Sequence, residues 1–293
     1  MSETLKTQLL PLNLKNMKTP EKMPAQAETV DEIKYAVIAH ARIAYKIFGQ
    51  GHPLIMCMGY AGNMDLWGTG LIDSLRQKFQ VIVFDYRGMG LSTNSMHFTT
   101  IDALGKDVFE LLSALQIKKA HVLGWSMGGF VAQSFAIRYP EMVDKLVLYA
   151  SHCGGAETIN PNQEIIDILS NPASSPMEFL GTLFPDDWLS SHPQPWKYLP
   201  EAKEPMNPET IGLQYVAVQN WLTPGGGSAK LLQKIDIPVL VISGENDKVV
   251  PVANASLLAG LIPGATLITE PDCGHGFMYQ LPEVFAKHID TFL

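Results

Sequence analysis

The chain has 293 residues, long enough for one large domain or two small ones, and 46% of them are hydrophobic, enough for a full core. A formal net charge of -8 with only 17% charged residues excludes a disordered chain and one that wraps nucleic acid, which needs clustered Lys and Arg. No apolar run reaches the roughly 18 residues of a membrane span, and Cys57, Cys153 and Cys273 fit neither a disulfide framework nor a zinc site, which points to a reducing, cytoplasmic compartment.

Residues 1–30 scatter leucines among Lys, Asn, Gln and Pro. They resemble neither a secretory leader nor a transit peptide, and are expected to form a flexible extension. Apolar and β-branched runs then predict strands at Ile33–Ile38, Ile43–Phe48, Leu54–Met58, Val81–Phe84, Val122–Gly124, Leu146–Tyr149, Val239–Ile242 and Thr266–Thr269. Most from Leu54 onward are continuous rather than alternating, as for strands buried on both faces. Helical segments are expected at Leu66–Phe79, Ile101–Leu115, Phe130–Arg138, Ala253–Leu261 and Pro282–Phe292. This alternation predicts a mostly parallel sheet wound on both sides, with antiparallel strands leading in. Residues 153–229 interrupt it. They are rich in proline, carry short apolar helical patches, and are too long for an ordinary connection and too apolar for a linker. A helical cap inserted into a core of residues 31–152 and 230–293 is expected.

The motif with the clearest chemical content is Gly124-Trp125-Ser126-Met127-Gly128, at the end of a short strand. Glycines two before and two after the serine permit a sharp strand-to-helix turn. That turn presents the hydroxyl and aims the Met127 N–H at a forming oxyanion. A base is expected late in the chain, and Gly274-His275-Gly276 follows the last predicted strand. The run from Pro238 ends in a turn with two carboxylates, Glu245 and Asp247; Asp247 is the preferred orienting acid, with Glu245 as the alternative and helix capping as its competing role. The strand ending at Tyr149 leads to Ser151-His152-Cys153 and offers no acid. Gly59 and Gly62 about Tyr60 let the Tyr60 N–H serve as a second oxyanion donor.

With these pieces the chain resembles the α/β-hydrolase superfamily from about Ile33 to Leu293. The resemblance is carried by the serine elbow, the run Asp85-Tyr86-Arg87-Gly88-Met89-Gly90-Leu91-Ser92, Gly244-x-x-Asp247-x-x-x-Pro251, and Gly274-His275. It implies an α/β-hydrolase fold with an eight-stranded, mostly parallel sheet, helices on both faces and an inserted helical cap. It also implies Ser126 as nucleophile, Asp247 as acid, His275 as base, and Tyr60 and Met127 as oxyanion amides, with no cofactor. One departure is Met58-Gly59, where the family often has His-Gly.

Competing motifs are weaker. Thr93 occupies the third glycine position of a dinucleotide turn, and the elbow lacks the lysine of a phosphate loop. Asp85 and Arg87 read as an internal ion pair or a backbone tether. No metal site is expected at Asp272-Cys273-x-His275 or His152-Cys153. Trp125, His152, Phe184 and Trp188 are candidate walls of the substrate pocket, His152 equally a residue tied to backbone where the cap begins. The cap has no arginine, which favours an uncharged, mostly apolar ester or lactone. The expected activity is therefore small-molecule ester hydrolysis through an acyl-enzyme. Carbon–carbon bond hydrolysis or perhydrolysis on the same triad, and a ligand-sensing protein of the same fold, are the alternatives.

Overall fold

The computed structural model of the protein describes residues 32–171 and 173–293, so the expected flexible extension lies outside the described residues. Eight strands form one sheet in the order β1-β2-β4-β3-β5-β6-β7-β8: β1 (Lys34–Ile38), β2 (Ala41–Phe48), β3 (His52–Cys57), β4 (Phe79–Phe84), β5 (Ala120–Trp125), β6 (Val143–Tyr149), β7 (Val239–Gly244) and β8 (Thr266–Glu270). The β1–β2 and β2–β4 pairs are antiparallel and all others parallel. Strands β5 and β7 are buried at every position, which explains their unbroken apolar runs. Leu54, Ile55 and Met56 of β3 are fully buried, each such side chain contributing about 1.5–3 kcal/mol.

Helices α1 (Thr69–Leu75), α2 (Ile101–Ala114), α3 (Met127–Arg138), α8 (Ala253–Leu261), α9 (Phe277–Gln280) and α10 (Pro282–Phe292) accompany the sheet. Helix α1 packs on α10, and α2 on α3. The single helix expected over Leu66–Phe79 is instead a 3-10 turn, Met64–Trp67, followed by α1. Gly68 separates them at φ 74°, a left-handed conformation that apolar periodicity does not reveal. Helix α3 starts at Met127, three residues earlier than its apolar pattern suggested, because the serine turn is itself its N-terminus.

Between β6 and β7 the chain forms α4 (Gln163–Ser170), α5 (Pro176–Leu183), α6 (Asp186–Ser191) and α7 (Pro208–Leu222). This insertion leaves and rejoins the core at one place, where Ser228 N donates to Cys153 O at 2.7 Å. The strand order itself picks out a crevice. From β3 the chain moves outward to β4, then crosses back to β5 on the other side of β3. Open parallel sheets form their crevices beyond the carboxyl ends of strands at such a reversal. The loops there carry Tyr60, after β3, and Ser126, after β5.

Candidate active site

Ser126 sits at φ 55°, ψ -119°, a conformation that non-glycine residues adopt at a cost of about 1–3 kcal/mol and that functional sites commonly retain. The surrounding structure holds it there. Ser126 N donates to Tyr149 O at 2.9 Å, and Ser126 O accepts from Gly129 N (2.9 Å) and Ser151 Oγ (3.0 Å). The two elbow glycines are required by close approach. A Cβ on Gly128 would lie 1.9 Å from Cys57 O, and one on Gly124 would lie 2.3 Å from Gly128 O.

That tight packing brings the first turn of α3 against the β3 loop. The Met127 amide belongs to the orphan donors of a helix N-terminus. Neither it nor the Tyr60 amide finds an acceptor among the described residues. The Tyr60 side chain is partly exposed beside Tyr215, and burial of part of the ring pushes its hydroxyl up to about 12.

Asp247 and His275 are brought together. His275 Nδ1 lies 2.8 Å from Asp247 Oδ2, and both side chains are buried. The other oxygen, Asp247 Oδ1, accepts from Val249 N (2.9 Å) and Val250 N (2.8 Å). Capping the turn and contacting the histidine, set against each other as alternatives in the sequence, are thus performed by different oxygens of one carboxylate. Glu245 is exposed and accepts instead from Thr269 Oγ1 at 3.0 Å.

Two residues that carried no sequence signal brace this loop. Tyr149 Oη donates to His275 O at 2.6 Å and accepts from Met278 N at 3.2 Å, while its own carbonyl holds Ser126 N. One side chain therefore ties the serine turn to the histidine loop. Gln280 clamps the same loop, accepting from Gly274 N (2.7 Å) and donating to Asp272 O (3.2 Å).

The pocket-wall candidates divide. Trp125 is buried, stacked on Tyr149 and packed against Tyr279, with its ring centroid 5.5 Å from that of His275. The His152 ring lies against Phe130, tilted by 38° with centroids 4.2 Å apart, and its Nδ1 accepts from Gly154 N at 3.1 Å, which puts the proton of the neutral ring on Nε2. Burial, with a smaller contribution from the field of His275, lowers its pKa to about 3. Phe184 is buried against Gly276, and the adjacent Leu183 O accepts from Gly276 N at 2.9 Å, so α5 rests directly on the histidine loop. Trp188 is stacked between Phe184 and His192 and meets Tyr198 edge-on.

Asp85 and Arg87 are used for bracing. Asp85 accepts from Met64 N (2.8 Å) and Leu91 N (2.9 Å), and burial raises its pKa to about 6. Arg87 forms a buried pair with Asp107. Burial pushes the Cys57 thiol up to about 12, as for an inert core cysteine.

The serine turn and the histidine loop both lie within the residues matched by one family. The family described as alpha/beta hydrolase fold covers residues 52–192 and 196–280. The chain belongs to this family. Among relatives of this alpha/beta hydrolase, a putative carbamate hydrolase from Caulobacter is 28% identical, covering 82% of this chain and 90% of the relative. A poly(3-hydroxyalkanoate) depolymerase from Ectopseudomonas oleovorans is 30% identical over 82% of this chain and 84% of its own length. Among solved structures, an alpha/beta hydrolase fold protein from Chitinophaga pinensis superposes with a TM-score of 0.76, at 26% identity, over 90% of this chain and 97% of that one.

His52, His121 and Asp144 also place ligating atoms within 4.8 Å of one another, near the amino ends of β3, β5 and β6, whereas Ser126 follows the carboxyl end of β5. Lys119 already occupies Asp144 Oδ1 at 2.7 Å, and His52 Nε2 its other oxygen at 2.6 Å. No helix among the described residues is long and apolar enough to cross a membrane.

Proposed function

We propose that this hydrolase cleaves the carboxylic ester or lactone bond of a small, mostly apolar substrate through an acyl-enzyme on Ser126. The observation that carries the reading is the buried contact between Asp247 and His275. A carboxylate only accepts hydrogen bonds, so Nδ1 keeps its proton and the lone pair of Nε2 is left for the serine hydroxyl. His275 takes that proton as Ser126 Oγ attacks the acyl carbon. The Met127 and Tyr60 amides hold the oxyanion, and the leaving alkoxide takes the proton from His275. Water, deprotonated by the same ring, then releases the acid.

The substrate class follows from charge. Arg42, Arg76, Arg87 and Arg138 are the only arginines, and none lies in the insertion. Lys248, beside the acid, is already held by Gly181 O and Asp186. An anionic substrate would lack a bidentate partner. The surroundings of the elbow are aromatic, with Phe130 stacked on Trp221 and in tilted contact with His152. The three free cysteines support a reducing compartment, and we place the protein in the cytoplasm on that basis.

The test is acyl-enzyme trapping. Wild-type protein mixed with p-nitrophenyl acetate should release a burst of p-nitrophenol and gain the mass of one acetyl group on the peptide containing Ser126. Ser126→Ala should lose both. Wild-type burst and turnover in Ser126→Ala would overturn the assignment.

A further inference from the structure

Three neighbouring strands bring His52, His121 and Asp144 together at the strand ends remote from Ser126. His52 opens β3, two residues before Leu54, the register partner of His121 in β5, so both rings stand on one face of the sheet. Opposite His121, β6 carries two residues where a regular ladder has one, because Ala120 pairs with Val143 and Val122 with Leu146. Such bulges are rare in parallel pairs, and they re-aim side chains. Here Asp144 meets His52, while Lys145 turns to Phe292 O (2.8 Å) and Leu293 O (2.9 Å).

The three side chains differ in freedom. His121 is 7% exposed, with Phe79 edge-on at 6.0 Å and the His52 ring at 4.4 Å, and its Nδ1 has no hydrogen-bond partner among the described residues. The His52 and Asp144 side chains are 42% and 25% exposed, so the cluster opens to solvent through them. One anchored imidazole thus faces a second imidazole and a carboxylate that are free to turn.

We propose that His52, His121 and Asp144 bind a zinc ion, with water as the fourth ligand. Two imidazoles and one carboxylate suit zinc, whereas magnesium and calcium favour oxygen ligands. Ligand atoms ~2.0–2.1 Å from a tetrahedral ion lie ~3.3 Å apart. The ligating atoms here lie within 4.8 Å of one another, and turning of the two part-exposed side chains covers the difference. The ion takes the place of the hydrogen between His52 Nε2 and Asp144 Oδ2, 2.6 Å apart, and the neutral His52 ring then carries its proton on Nδ1. Lys119 Nζ, 2.7 Å from Asp144 Oδ1, is the competitor; its side chain is half exposed, and an ion pair of this kind holds weakly. From His121 to Ser126 the strand runs on the order of 16 Å at ~3.3 Å per residue. The ion is therefore a staple across β3, β5 and β6, and its binding is independent of the ester-hydrolase reading.

The test is calorimetric titration of the EDTA-treated full chain with zinc chloride. The wild-type protein should bind one ion per chain, and its urea midpoint should rise with zinc concentration. His52→Ala and Asp144→Asn change part-exposed side chains and should weaken binding by roughly tenfold or more, the loss that even an outer partner of a metal ligand can cause. Lys119→Gln should tighten binding by roughly two- to fivefold, the worth of an exposed ion pair. Cobalt(II) chloride in place of zinc should give the intense visible bands of a four-coordinate ion in the wild type, and lose them in His52→Ala and His121→Leu. If the buried substitution His121→Leu does not fold, the two part-exposed variants decide. A wild-type protein that binds no zinc would overturn the inference. So would equal binding by His52→Ala or Asp144→Asn, which would put the ion elsewhere, or weaker binding by Lys119→Gln.

Discussion

Asp247→Asn isolates the tautomer of the proposed base from the fold of its loop. Asp247 Oδ1 accepts from two backbone amides, and Oδ2 faces His275 Nδ1. An asparagine has one acceptor oxygen. Turning it toward His275 would strand the amides of Val249 and Val250, at about 1–3 kcal/mol for each buried group. The oxygen therefore stays with the amides, and the new NH2 points at Nδ1. His275 Nδ1 must then accept, its proton moves to Nε2, and the lone pair that would receive the serine proton is lost. The expected fall in kcat is about 10⁴-fold, or about 5.6 kcal/mol at about 1.4 kcal/mol per tenfold. Asp247→Ala loses both turn bonds as well, so it should unfold at lower urea than Asp247→Asn while being no slower. Steady-state p-nitrophenyl acetate hydrolysis and urea denaturation of both variants read the two effects separately. An Asp247→Asn protein within tenfold of wild-type kcat would refute the argument.

Other expectations follow from the bracing residues and the buried titratable groups. Tyr149→Phe strands His275 O and Met278 N, and should cost about 2–4 kcal/mol in urea denaturation with a fall in kcat. Unchanged stability would show that these groups find other partners. Acid should destabilise the protein below about pH 6.5: the folded pKa values of His152 (about 3) and His121 (about 4) lie below their unfolded 6.5, so the unfolded chain binds protons the native one does not. Asp85 opposes this between about 6 and 3.8, since its folded pKa is raised. His121→Leu should reduce the slope of stability against pH between 6.5 and 4 by up to about 1.4 kcal/mol per unit, measured by urea denaturation at pH 6.5, 5.5 and 4.5. An unaltered slope would remove His121 as a contributor.

What the sequence made legible was whatever imposes a local constraint on residue type. The serine turn needs glycine at 124 and 128 because backbone atoms occupy the space a Cβ would fill. Asp247 was legible because a turn cap leaves a carboxylate at a defined place after a strand. Tyr149, Gln214 and Gln280 left no such mark. Tyr149 acts on a carbonyl 126 residues away, and Gln214 on an amide 153 residues away. Nothing in the neighbourhood of either residue distinguishes it from an ordinary strand tyrosine or helix glutamine. Trp125 illustrates the converse limit. Its hydrophobicity and its place beside Ser126 suit a pocket wall, yet the ring is packed among Tyr149, His275 and Tyr279, because apolar character does not separate a wall from a core.

The insertion contacts every loop assigned a part in the chemistry except the serine turn itself: Gln214 meets Ala61, Leu183 meets Gly276, and Lys248 reaches Gly181 and Asp186. Each neutral bond contributes about 1 kcal/mol net, and the Lys248–Asp186 pair less, since Asp186 is largely exposed. The same loops are held independently from the core side. Asp247 is fixed by its own turn, His275 by Tyr149 and Gln280, and Gly59 O by Gly62 N. Loss of a bond to the insertion therefore leaves the core-side bonds to Asp247 and His275 standing. That division is why variants at Asp247 and Tyr149, which hold these loops from the core side, are read by kcat and stability together.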